Sequence, residues 1–218
     1  MSRVKTGWML GLCWLAASVW AQGSVVTAHA VVDDTTQRVM AVVAEADSYV
    51  EQEPERYYQQ VQAILDPVID FRGFARSVMG PYASSERYRG LDAAGQAELR
   101  EQLDKFTEVM RLGLVRTYSK GLLAYGDSRI EVFAATDEDP AGGKATVRQL
   151  VYNSQPEPYV LIYQMGRDKS GDWKLRNIII EGVNLGEIYR NQFEASARKN
   201  EGNLDAVIAS WTAVEVET

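Results

Sequence analysis

Five cations and a few acids are the side chains of this chain best suited to chemistry. Lys174, Arg176 and Arg190 could meet a phosphate. Arg72 and Arg76 stand one helical turn apart, where they could form a pocket rim or meet a partner. Asp70 and Glu181 are candidate general bases, a role that requires a carboxylate with a raised pKa inside a pocket. Asp137, Glu138 and Asp139 crowd the segment DEDPAGGK and could attract a cation. Their spacing lacks the alternating ligands and closing glutamate of a calcium loop. The segment reads as a hairpin loop.

What is missing excludes more. Cys13 is the only cysteine and His29 the only histidine, and both lie near the N-terminus. A cysteine nucleophile, a Ser-His-Asp triad and a histidine zinc site therefore lack their parts. No glycine-rich phosphate loop is present. No metal or cofactor is expected.

The N-terminal segment reads as an export signal. Arg3 and Lys5 precede an apolar run at 7–19, and Val19-Trp20-Ala21 supplies a cleavage context. Residues 1–21 are the expected signal peptide; Ala28-His29-Ala30 is the alternative, with cleavage after 30. The run is shorter than the ~20 apolar residues that span a bilayer. The exported chain would then hold no cysteine, so packing must do what disulfides do elsewhere. Removing Arg3 and Lys5 leaves 21 Lys and Arg against 30 Asp and Glu, a net charge of −9. Such a chain is a poor nucleic-acid binder.

These residues need elements to position them. Helical periodicity runs to about Tyr118, followed by strands and then helix again. Asp33 or Asp34 can cap a first helix with Val39, Val42, Val43, Ala46 and Val50. Pro54 opens a second and Pro67 stops it. Asp70 caps FRGFARSVMG. A long helix over 92–120 carries Leu99, Leu103, Phe106, Met110, Leu114 and Tyr118 on one stripe, with Gly121 as a left-handed cap. Strands are expected at 128–134, 144–153, 159–166 and 173–180, close enough in sequence to pair antiparallel. In YVLIYQM, Tyr159, Leu161, Tyr163 and Met165 share one face. Asn184 caps LGEIYRNQFEASARK with Glu187 in capping-box position, and a last helix holds Leu204, Val207, Ile208 and Trp211. The expected fold is α+β: helices packed on a curved, mainly antiparallel four-stranded sheet, enclosing an apolar cavity in a single domain over 31–214.

Two blocks carry a resemblance. DFRGFARSVMGPY (70–82) and WKLRNIIIEGV with YRNQF (173–183 and 189–193) are similar to the toluene-tolerance family, the MlaC-type periplasmic phospholipid-binding proteins. TYSKGLLAYGD and YVLIYQM fall between them in the family's order. Asn177 stands where the family usually has aspartate, Asn184 where it usually has serine, and Ala83 where an aromatic is frequent.

The resemblance implies a monomeric carrier of glycerophospholipid, without enzymatic activity. It would run between an outer-membrane lipoprotein complex and an inner-membrane ABC transporter and so maintain outer-membrane lipid asymmetry. The expected pocket wall is Val147, Val151, Leu161, Tyr163 and Ile179 from the sheet. Phe74, Val78, Met79, Phe106, Met110, Leu114 and Tyr118 would face it from the helices. Tyr152, Tyr189, Arg72 and Arg76 are rim candidates, and Tyr163 could add a hydroxyl there. Two other readings remain open at this stage: a small α+β enzyme with a cone-shaped pocket, and a periplasmic interaction or chaperone module that exposes its apolar stripe.

Overall fold

The computed structural model describes residues 26–134 and 143–212. The expected signal peptide and the acids Asp137, Glu138 and Asp139 lie outside them. Helix α1 (Ala28–Ala46) starts earlier than predicted: Thr27 is the cap, its side chain accepting from the Ala30 amide at 3.1 Å. Asp33 and Asp34 sit inside the helix. A threonine already in extended backbone satisfies an orphan amide, so the later aspartates are not needed.

Helix α2 (Pro54–Leu65) has Pro54 in its first turn. Helix α3 (Phe71–Met79) is capped by Asp70, whose carboxylate accepts from Gly73 N at 2.9 Å. A 3-10 turn and short α4 (Ser85–Gly90) lead to α5 (Ala93–Leu122), capped by Asp92. The chain passes Gly121 without a left-handed residue and ends in a 3-10 turn, Leu123–Tyr125.

The sheet has five strands, not four: β1 (Arg129–Phe133), β2 (Lys144–Tyr152), β3 (Tyr159–Arg167), β4 (Trp173–Ile180) and β5 (Val183–Asn184). They pair antiparallel in chain order. Strand β5 arises because Glu181 and Gly182 both take positive φ, 51° and 79°. A two-residue turn of that kind folds the chain straight back as a hairpin. Next to β5, residues 68–70 cover the rest of the β4 edge, with Leu175 N donating to Val68 O at 2.8 Å. Helices α6 (Leu185–Lys199) and α7 (Leu204–Ala209) complete the chain. Among the described residues no helix is long and apolar enough to cross a membrane.

The packing follows a ring. Helix α1 lies on β1 and β2, α2 on α1, α5 on α2, α3 on α5, α6 on α3, and α6 returns to β4. Among the described residues α5 packs closely on α2, α3 and α7 rather than on the strands. The buried apolar residues accordingly fall into three clusters. The largest joins α3, α5, α6 and α7 around Phe106, Tyr189 and Phe193. The second joins α1 and α2 around Tyr57 and Val61. The third joins the start of α1 to the sheet through Ala28, Val32, Ala145, Val147, Met165 and Trp173. A close-packed domain usually has one contiguous core.

One irregularity sets which residues face the helices. The β3–β4 register shifts between Gln164 and Met165, so Arg176 is an extra residue in β4. A bulge flips every side chain beyond it to the other face. Trp173 and Leu175 point inward before the bulge; Ile178 and Ile180, paired with Tyr163 and Leu161, point inward after it.

Candidate functional site

The inner face of the sheet and the facing stripe of α5 form the candidate site. Along β3 the inner side chains run from buried Met165 to half-buried Tyr163, Leu161 and Tyr159. Ile178 and Ile180 stand beside them, also half-buried. From the helical side come Leu114 and Tyr118, partly exposed at the margin of the largest cluster. Large apolar side chains on an inner face are ordinarily covered, so retained surface there marks space that helices do not fill.

The predicted wall divides on this geometry. Leu114, Tyr118, Leu161 and Tyr163 keep accessible surface on the inner side. Phe74, Val78, Met79, Phe106 and Met110 are packed inside the largest cluster, at 8% exposure or less. Val147 lies beneath α1 at 0%, and Val151 is buried at 7%. Ile179 is on the outer face, opposite Ile162, because the bulge reverses the alternation. Ile178 and Ile180 hold the inner position assigned to it. The sequence trace of the bulge is the adjacent polar pair Arg176-Asn177, which breaks the alternation begun by Trp173, Lys174 and Leu175.

The rim candidates lie elsewhere. Tyr189 is fully buried, 3.3 Å from the Tyr118 hydroxyl and edge-on to Phe74, so it does not meet water. Tyr152 is on the outer face, its hydroxyl donating to Glu131 at 3.1 Å beneath the Arg129 guanidinium. Arg72 pairs with Asp104 on α5, and Arg76 donates to the Ser85 hydroxyl at 3.0 Å. Both tie helices together on the outside.

The remaining charged candidates have structural partners too. Arg176 is ion-paired with Asp70 and donates to Arg167 O at 3.1 Å. Lys174 donates to Pro67 O at 2.7 Å, and Arg190 holds Ser77 through its carbonyl and hydroxyl. Asp70 thus serves Arg176 and the α3 cap, and Glu181 accepts from Val160 N. Among the described residues no group of three acids, histidines or cysteines could hold a metal.

Two clefts open on either side of the Asp70–Arg176 pair. One, about 470 Å³, is lined by Phe74, Ser77, Gln164, Asn177 and Arg190 among others; the second, about 530 Å³, by Asp66, Arg167, Asp168 and Lys174. Their polar and charged linings differ from the enclosed apolar cavity predicted from sequence. In the first, Asn177 straps β4 to α6: its amide nitrogen donates to Gln164 and Asn184 at 2.9 Å, and its oxygen accepts from Gly186 N at 3.0 Å. A Cβ on Gly186 would lie 2.8 Å from that oxygen, so a side chain there would push the Asn177 amide aside.

Buried phenols dominate the electrostatics. The Tyr163 hydroxyl donates to Gln149 at 3.2 Å, and Gln149 also accepts from Thr36 of α1. Burial pushes Tyr163 and Tyr118 above the ordinary tyrosine range, Tyr118 further through Tyr189. Burial, with Tyr49 and Tyr58 nearby, pushes Tyr57 up to about 12, while its hydroxyl holds Ser119 O at 2.8 Å. A raised folded-state pKa means that the stabilising effect is complete below the unfolded value, 10.0, and is lost as pH climbs through the folded value. Thermal stability should therefore fall steeply from pH 10 upward, the last tyrosinate absorbance appearing together with loss of circular dichroism. Full tyrosine ionisation in a still-folded protein would contradict this.

Helices ringing the inner face of a five-stranded antiparallel sheet, with an apolar strip left partly uncovered, define the fold as α+β. The profile of the MlaC protein family matches residues 33–213, and the chain belongs to that family. The toluene tolerance protein ttg2D of Pseudomonas putida is 29% identical over 185 residues, covering 85% of this chain and 80% of that protein. A phospholipid-binding protein from Ralstonia solanacearum, solved in complex with a phospholipid, superposes with a TM-score of 0.69 at 22% identity. The match covers 84% of this chain and 94% of that one.

Proposed function

We propose that this protein is a non-enzymatic periplasmic carrier of glycerophospholipid, holding acyl chains between the inner face of the sheet and α5. The observation that carries the reading is the half-buried strip of Tyr159, Leu161, Tyr163, Ile178 and Ile180, which lies between three separate apolar clusters. Burying a methylene is worth about 0.8 kcal/mol, so a tail of roughly 16 carbons is held from water by on the order of 12 kcal/mol. A carrier must offer an equivalent apolar lining, and this strip supplies one. Family membership and the phospholipid found in the Ralstonia neighbour support the same reading.

The carrier would collect and deliver lipid at an outer-membrane lipoprotein complex and an inner-membrane ABC transporter, and so maintain outer-membrane asymmetry. Its expected net charge of −9 disfavours lingering on an anionic bilayer, so contact with membranes would run through docked partners. The exported chain would begin near Gln22. Cleavage after Ala30 would remove Thr27, which caps α1, buried Ala28, and His29, whose ring nitrogen meets Val132 O at 3.1 Å.

The test is organic extraction of the protein purified from the periplasm, followed by lipid and intact-mass spectrometry. Phospholipid in stoichiometric amount, on a chain starting at Gln22, is expected. A preparation that carries no phospholipid, and takes none from vesicles, refutes the carrier reading.

A further inference from the structure

The two ends of the sheet are closed differently. At one end Ala145, Met165 and Trp173 are buried beneath the start of α1. Turns lie at both ends, the β3–β4 turn at 168–172 at this one; the other end carries the connection from α5 into β1, the β2–β3 loop at 153–158 and the tight β4–β5 turn. Accessibility along the inner face of β3 rises toward that second end, from Met165 to Tyr159. Segments with few buried contacts open at lower free energy than packed elements.

One aromatic contact bridges the second end. Tyr125, in the 3-10 turn after α5, meets Tyr159, the first residue of β3, with ring centroids 5.7 Å apart and planes at 86°. It joins the end of the helical layer to the inner face of the sheet. Both rings are half-buried. The neighbouring Tyr125 phenol holds the Tyr159 phenol above its ordinary value. Ala124, Gly126 and Asp127 around Tyr125 are exposed, and the turn is held by Leu123 against the α1–α2 cluster and by Ser128 N donating to Tyr125 O at 3.0 Å. On the far side, Glu181 is latched to Val160 through both backbone and carboxylate, which fixes the sheet half of the contact. An edge-to-face pair is worth about 0.5–1.5 kcal/mol beyond its buried area. That is strong enough to bias the mouth shut and weak enough to be released by a docking partner.

We propose that Tyr125 and Tyr159 are the gate of the lipid-binding interior: their separation admits an acyl chain at the second end of the sheet, and their contact retains it. The gate rests on the carrier reading. It assigns the moving part to the Leu123–Tyr125 turn and the fixed part to β3. Loading and unloading then use the same end, opposite Trp173.

The experiment places cysteines at both positions in the exported chain, which has none of its own once Cys13 is removed. The link must tolerate a Cβ separation beyond the roughly 3.5–4.5 Å that a direct disulfide spans. A short bifunctional methanethiosulfonate, cleavable by reductant, is therefore the linker. The probe is an acyl-labelled fluorescent phosphatidylethanolamine in phosphatidylethanolamine–phosphatidylglycerol vesicles. Cross-linking Tyr125→Cys/Tyr159→Cys should slow uptake and release by about tenfold or more, with full recovery on reduction. Tyr125→Ala should speed both while lowering the melting temperature by no more than a few degrees. Equal rates in the cross-linked and reduced forms overturn the gate while leaving the carrier intact. If the parent protein takes up no labelled lipid at all, the carrier reading fails and the gate falls with it.

Discussion

Leu161→Trp should retain the parent melting temperature to within a few degrees and lose most of the phospholipid that the parent carries. Leu161 lies on the inner face of central strand β3, half-buried and paired with Gln149 and Ile180. On the carrier reading an indole there would extend into the space kept for cargo rather than into packed side chains, so overpacking strain would be small. Its extra volume displaces about two methylenes of cargo, which costs about 1.6 kcal/mol, or roughly tenfold in affinity. Ile162→Trp is the matched control: one residue along the strand, on the outer face opposite Arg148 and Ile179. It should load as the parent does. Equal loading in the two variants would remove the inner face of β3 from the site.

Phe106→Ala should behave in the opposite way, with a large loss of stability. Phe106 is fully buried, its ring centroid 5.0 Å from those of both Phe193 and Trp211. Truncating such a ring costs about 3–5 kcal/mol. In a domain of this size each kcal/mol lowers the melting temperature by roughly 2–4 °C, so a fall of about 6–20 °C is expected by calorimetry. The sequence placed Phe106 on a cargo wall; the structure places it inside an aromatic cluster that pins α5 to α6 and the tail of α7. Altered loading with less than about 1 kcal/mol of destabilisation would return Phe106 to the wall.

These two residues show what a sequence of this kind discloses. Phe106 and Leu161 both satisfy an apolar periodicity, and the pattern cannot tell a side chain facing a packed neighbour from one facing unfilled space. That difference depends on how far α5 stands from the sheet, which is set by α1 and α2 between them. Local signals did well: Pro54, Asp70, Asp92 and Asn184 open or cap the helices expected of them, and β4 spans the residues predicted. The family resemblance, carried by 70–82 and 173–193, is matched by the family profile over 33–213. Alternation gave the inner residues of β2 and β3. It failed in β4, where the extra residue at Arg176 moved Ile179 outward. It also missed β5, because a glutamate at positive φ gives no sequence sign of itself. The partners of the charged rim candidates were not legible either: long side chains find carbonyls and acids nearby, and only coordinates reveal which.

The Asn177–Asn184 bond joins strand to helix through an amide that donates to an amide oxygen, so the connection is neutral at both ends.

The three-cluster interior has a consequence for energetics. None of the clusters continues through the centre of the ring, so the surface that joins them would belong to the cargo. A bound acyl chain would then be the middle of the hydrophobic core, contributed by another molecule. The folded state would gain stability with every increment of occupancy. Handing a lipid over would mean a protein briefly giving up part of its own interior, and transfer would be easiest where a partner's apolar groove takes up the chain as the gap reopens.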